Sequence, residues 1–158
     1  MRHPPAALRE FLEPYDPLIS RLFFATRKTV LLAAPDATEL IYDAYNAVTA
    51  AYSFTGRLRE AFCHVAAYRS YVNLGFNRGA GLADPERLLV GSGRYIRHIR
   101  IAAIGSLKRP AVQSLVRAAV EEARRVSPTP RATPESIVKA VYAKKRRPAS
   151  VRRSQSSG

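Results

Sequence analysis

Four arginines, five glycines and one histidine crowd the stretch Asn73–His98, which reads NLGFNRGAGLADPERLLVGSGRYIRH. Glycine supplies positive φ and lets a backbone approach a ligand closely. Gly91-Ser92-Gly93-Arg94 could present amide groups to an anion, with Arg94 or Arg97 as counter-charge. Asn73, Arg78, Gly79, Gly91, Gly93, Arg94, Arg97 and His98 therefore form the candidate ligand-binding set. The same glycines serve equally as turns between strands. Their spacing is neither the dinucleotide-binding nor the P-loop pattern, and no helix follows the Gly91–Gly93 pair directly.

Other reactive residues offer less. Asp84-Pro85 has the signature of a helical start, read here as a single turn inside the loop. Arg97 shares a strand face with Tyr95, Ile99 and Ile101, the more apolar side. A guanidinium directed at a core needs a carboxylate or several acceptors. Asp84 is the nearest acid, and the expectation is an Arg97–Asp84 tie between loop and sheet; the alternative is an edge strand with Arg97 solvated. His64 and His98 could meet on adjacent strands, but two histidines without a clustered acid make a weak metal site. Cys63, on a strand face with Val65 and Ala67, reads as a small core group. No catalytic constellation, metal site or cofactor site emerges.

Periodicity marks out the helices and strands on either side of this stretch. Ala6–Glu13 forms a short helix stopped by Pro14, and Asp16-Pro17 starts a second. Ile19, Leu22, Phe23, Thr26 and Val30 mark its buried face, with Arg21 and Lys28 off it, and Pro35-Asp36 ends it. Glu39–Asn46 is ambiguous between strand and helical turn. Alternation predicts strands at Val48–Phe54, Phe62–Tyr68, Tyr71–Phe76 and Arg94–Ile101. Pro110–Arg125 is helical, with Val112, Leu115, Val116, Ala119 and Ala123 as its inner stripe. Short links favour antiparallel pairing. The expectation is one α+β domain over residues 1–126, an antiparallel sheet of about five strands with helices on one face.

Beyond residue 126 the composition changes. Residues 127–158 read as a proline-rich linker, a short basic helix starting at Thr133-Pro134-Glu135, and a disordered tail. Charge is lopsided as well: 26 Lys+Arg against 12 Asp+Glu give +14, and residues 127–158, with 8 basic and 1 acidic side chain, hold half of that. Lys144, Lys145, Arg146 and Arg147 are candidates for non-specific nucleic-acid contact by counterion release. One cysteine excludes an internal disulfide, and no apolar stretch is long enough for a signal sequence or a membrane span. The expectation is a soluble cytoplasmic protein without a membrane partner.

Pro35-Asp36 with Glu39, Asn73-Leu74-Gly75-Phe76 with Gly79, Leu82-Ala83-Asp84-Pro85, Gly91-Ser92-Gly93 and Arg97-His98 occur in that order. Over roughly residues 8–125 the chain resembles the YdhG-like family of bacterial domains of unknown function. The resemblance implies a small α+β fold with helices packed on a sheet. Most members have no assigned activity; one is regarded as a frataxin-like protein that hands iron to iron–sulfur assembly, and related domains occur fused to others in stress-linked proteins. Frataxin-type iron binding relies on an acidic helix and edge, whereas the first long helix here shows Arg21, Arg27 and Lys28. Iron handling is not carried over. The leading expectation is a non-catalytic binding or adaptor protein that meets a small anion, metabolite or protein partner at the 73–98 surface. The alternative is a nucleic-acid-associated protein acting through the basic tail.

Overall fold

The computed structural model describes residues 1–127, 129–130 and 133–144. Helix α1 (Ala6–Leu12) leads into α2 (Pro17–Ala33). The α2 start is the expected one: Asp16 Oδ1 accepts from the Leu18 amide at 2.8 Å, and Pro17 occupies the first turn. Four strands follow, β1 (Thr38–Asp43), β2 (Val48–Ser53), β3 (Cys63–Ala67) and β4 (Val72–Phe76). A looped segment then leads to β5 (Arg97–Arg100), α3 (Pro110–Val126) and β6 (Ser136–Val141).

The sheet order is β5-β4-β3-β2-β1-β6. Five strands pair antiparallel, and β6 lies parallel to β1. The architecture is α+β in a single domain, with six strands in a mixed sheet where about five antiparallel ones were expected. The ambiguous 39–46 segment is strand β1 and its exit.

One sheet face carries Ile41, Ala50, Cys63, Val65, Leu74 and Ile99, and the apolar stripes of all three helices join it in one buried cluster. α2 supplies Ile19, Leu22, Phe23 and Val30, and α3 supplies Val112, Leu115 and Val116. On this scale each fully buried Leu, Ile, Val or Phe contributes about 1.5–3 kcal/mol. The other face carries Tyr42, Thr49, His64, Asn73 and Arg100, with Leu40, Ala51 and Ala61 in a small second cluster.

Two expectations about local structure are corrected. The segment expected to be a short helix from Thr133 contributes strand β6 to the sheet of the main body. Its apolar residues Ile137, Val138 and Val141 are β-branched and suit a pleated surface, and β1 offers them an unpaired edge. Polar contacts choose the entry point: the Glu39 amide donates to Glu135 O at 2.7 Å, and Arg2 donates to both Glu135 O and Ser136 Oγ. Strand β5 is also shorter than the expected Arg94–Ile101, because residues 91–96 loop away from β4 and pairing begins at Arg97. The expected tail over 150–158 lies outside the described residues.

Arg27, grouped with Arg21 and Lys28 from the sequence, is the third correction. Arg21 and Lys28 are exposed, whereas Arg27 is 2% exposed and points into the core. Its Nε and one terminal nitrogen donate to the Glu39 carboxylate at 2.8 and 3.0 Å. Glu39, at 0% exposure, also accepts from Tyr52 Oη at 2.8 Å and Ser136 Oγ at 2.8 Å. The remaining Arg27 nitrogen donates to Arg2 O at 3.1 Å. A desolvated charge pair survives only when both partners are this fully satisfied.

Removing either partner strands the other charge in the core. Arg27→Ala and Glu39→Ala are each expected to lose about 3–5 kcal/mol in urea unfolding. The double variant Arg27→Met/Glu39→Leu should lose much less than the two single losses combined; simple additivity would show that the two side chains are not coupled.

Candidate functional site

The sequence-selected residues separate into three places. The first is the loop between β4 and β5. Its base is closed by reciprocal backbone bonds between Val90 and His98, both 2.9 Å. Inside it, one terminal nitrogen of Arg97 donates to Gly93 O at 2.5 Å and Ile96 O at 2.8 Å. The Ala80 amide donates to Tyr95 O at 2.9 Å. Arg97 is half-buried, and Gly79 lies beneath it: a Cβ at 79 would sit 2.6 Å from Arg97 Cβ. Gly91 adopts φ +135°, in the region glycine favours. Arg94 lies over the Tyr95 ring, 5.2 Å from its centroid.

Arg97 does tie the loop, but not through Asp84. The Asp84 carboxylate accepts from the Leu88 and Leu89 amides, both at 2.9 Å, across a turn in which the Arg87 amide bonds Asp84 O. Arg87 takes φ 55° there. The expected helical turn is thus a tight turn whose aspartate caps the chain beyond it, leaving its oxygens engaged. The glycines shape this loop, and Arg97, on the edge strand β5, bonds its carbonyls at the exposed surface.

The second place is the outer sheet face, where His98 and Asn73 lie. His64 and His98 are not on adjacent strands: both pair with Gly75, one from each side of β4. The His64 ring lies across Gly75, since a Cβ there would be 2.0 Å from its Nε2. His64 Nδ1 is 2.9 Å from Asn77 Oδ1, so with that oxygen accepting, Nδ1 carries the proton. Burial, aided by the nearby His98, pushes His64 below its ordinary 6.5, against the opposing hydrogen bond from Asn77. Asn73 Oδ1 is buried without a hydrogen-bond partner among the described residues. Among those residues no group of three or more His, Cys, Asp or Glu is arranged to hold a metal. Cys63, on the inner face, is fully buried, and burial drives its thiol far above the usual range, so it is inert as a nucleophile.

The third place is a cavity of about 300 Å³ that the sequence did not disclose. Phe54 and Phe62, at the two ends of the β2–β3 connection, stack at 4.9 Å and form one wall. Phe76 and Leu82 line it from the β4 side. α3 closes it with Ala119, Ala123 and Val126. On the cavity side α3 presents the small residues Ala119 and Ala123, while Val112, Leu115, Val116 and Val120 complete its buried stripe. Arg124 covers the Phe54 ring at 4.4 Å and pairs bidentately with Asp36 at 2.7 and 2.8 Å, holding the end of α3 to the α2–β1 corner.

Four charged side chains stand at the rim: Arg59, Glu60, Arg78 and Glu122. Glu60 is already engaged, accepting from Thr55 Oγ1 and pairing with Arg57 at 3.3 Å. That hydroxyl, followed by the arginine charges, holds its carboxyl below the ordinary value. Arg59 and Arg78 form no salt bridge among the described residues. Of the eight residues selected from the sequence, Arg78 alone lines the cavity. Of the basic tail residues, Lys144 is exposed just past β6. Lys145, Arg146 and Arg147 lie outside the described residues.

No helix of the described residues is long and apolar enough to cross a membrane. No family model, no curated protein and no solved structure matches the chain.

Two outcomes follow from this geometry. A histidine held neutral in the folded state binds its proton first in the unfolded chain, so the contribution of His64 is full above about pH 6.5 and falls on acidification until the folded group protonates. His64→Gln should flatten that part of the stability–pH curve; an unchanged slope would assign it to other groups. Arg97→Ala should cost about 1–2 kcal/mol and speed amide hydrogen exchange between Gly93 and Ile96. Unaltered exchange there would mean that the clamp does not hold the loop.

Proposed function

We propose that the protein is a non-catalytic binding protein whose ligand is a small amphipathic anion, an apolar body carrying a carboxylate or similar head. The observation that carries this reading is the aromatic cavity with two arginines at its rim that form no salt bridge among the described residues. Its volume lies at the lower end of the range for small-molecule sites, and its mix of apolar wall and few polar groups is typical of them. The Phe54–Phe62 pair and Phe76 supply surface for the body of the ligand, and Arg78 or Arg59 the counter-charge for its head. Ser127, Glu60 and Glu122 also line the cavity, with no histidine or cysteine among the described lining residues. The site is displaced from the 73–98 surface expected from the sequence and shares with it only Phe76, Arg78 and Leu82. Membership of the YdhG-like family belongs to this proposal and rests on the sequence motifs alone.

Thermal unfolding with decanoate, decanol and acetate tests it. Decanoate should raise Tm most, decanol less, and acetate not at all. Ala123→Phe fills the cavity and should abolish the decanoate shift, while Arg78→Glu should weaken binding roughly tenfold, a loss of about 1.4 kcal/mol. A decanoate shift that survives Ala123→Phe places the ligand elsewhere and overturns the proposal.

A further inference from the structure

We propose that the loop from Val90 to Ile96 is a docking element for an anionic lipid surface, inserting Val90, Tyr95 and Ile96 between headgroups. Every residue from 90 to 96 is exposed, an unbroken run that stands out from the body instead of lining a groove. Within it three large apolar side chains face solvent: Val90 at 58%, Tyr95 at 56% and Ile96 at 50%. Isolated exposed apolar residues are ordinary, but here three fall within one seven-residue loop.

The backbone that carries them is fixed. The Val90–His98 bridge closes the base, Arg97 holds the Gly93 and Ile96 carbonyls, and Ala80 holds that of Tyr95. Those side chains are thus presented to water on a tied frame, and their insertion costs little loop ordering. Charge complementarity selects the partner. Arg94 is exposed on the loop and Arg87 just before it. The acids nearby are committed, Asp84 to the Leu88 and Leu89 amides and Glu86 to Arg109 at 3.3 Å. Arginine at the phosphate level, tyrosine at the interface and aliphatic chains below it match the layers of a bilayer surface. A nucleic acid would use the arginines but leave Val90 and Ile96 without a role, since aliphatic side chains offer no base a stacking partner. This departs from the sequence-based expectation of no membrane partner; a surface contact of this kind needs no membrane span.

The chain contains no tryptophan, so Tyr95→Trp places a single reporter on the loop. With vesicles of phosphatidylglycerol and phosphatidylcholine, its emission should shift to the blue and be quenched by lipids brominated in the acyl chains. Pure phosphatidylcholine vesicles should give neither effect. Adding Val90→Ser and Ile96→Ser, both at exposed positions, should weaken vesicle binding roughly tenfold or more while leaving the thermal unfolding of the free protein unchanged. Added salt should weaken it as well. Sedimentation with anionic vesicles but no change in Trp emission would show attachment by other basic residues, such as the tail, and overturn the proposal. So would tighter binding to a single-stranded oligonucleotide, with no insertion into vesicles.

Discussion

The Arg27–Glu39 pair is the constraint around which the rest of this molecule is arranged. Both charges lie in the core, and the cost of removing them from water is recovered only if every donor and lone pair finds a partner. Those partners come from five separate parts of the chain. α2 brings the guanidinium, β1 the carboxylate, β2 the Tyr52 hydroxyl, β6 the Ser136 hydroxyl, and the segment before α1 the Arg2 carbonyl. Apolar packing alone is tolerant of small slips, but this network is not. A shift of α2 along the sheet or of β6 against β1 would leave a buried charge short of a bond. The pair therefore acts as a pin for register more than as a source of net stability. Tyr52 shows how dry the pin is: burial, followed by the adjacent carboxylate, pushes its phenol well above the ordinary value.

The same pin explains where periodicity stopped being informative. Strands β2, β3 and β4 were legible because Val48, Ala50, Val65, Leu74 and Phe76 alternate with more polar neighbours and all face the helices. Arg27 was not, because an arginine on a helix reads as solvated unless its partner is known, and Glu39 becomes that partner only after the chain turns back at Pro35 and Asp36. Strand β6 was hidden for a related reason. Ile137, Val138 and Val141 fit a helical stripe as well as a strand, and only the free edge of β1, with Arg2 and Glu39 waiting beside it, decides between them.

The candidate site was less legible than the fold, and its residues show why. Arg97 was correctly placed on the apolar side of its strand, but acceptors other than Asp84 were available to it. Backbone carbonyls of its own loop satisfy it at shorter range in sequence, and main-chain acceptors leave no trace in residue identity. The cavity is hidden more deeply still. Ala119 and Ala123 look like ordinary members of a helix stripe, and a stripe of small residues becomes a void only when the facing wall cannot move in to meet it. Here that wall is held away by the stacked Phe54–Phe62 pair and by Arg124, which packs on Phe54 while bound to Asp36.

Gly79 is where the two surfaces meet, and it shows that the glycine stretch is built for position. The Arg97 side chain occupies the space a Cβ at 79 would need, so the residue there must be glycine if the clamp on Gly93 and Ile96 is to close. With the clamp closed, the short turn at Gly79–Gly81 is held against the end of β5, and the Ala80 amide is directed to Tyr95 O. The residues flanking that turn, Arg78 and Leu82, are then delivered to the cavity on its other side. One glycine thus couples the exposed apolar loop to the rim of the cavity through a few tied backbone groups. The position of the Tyr95 carbonyl and the position of the turn that carries Arg78 are thus set by the same few contacts.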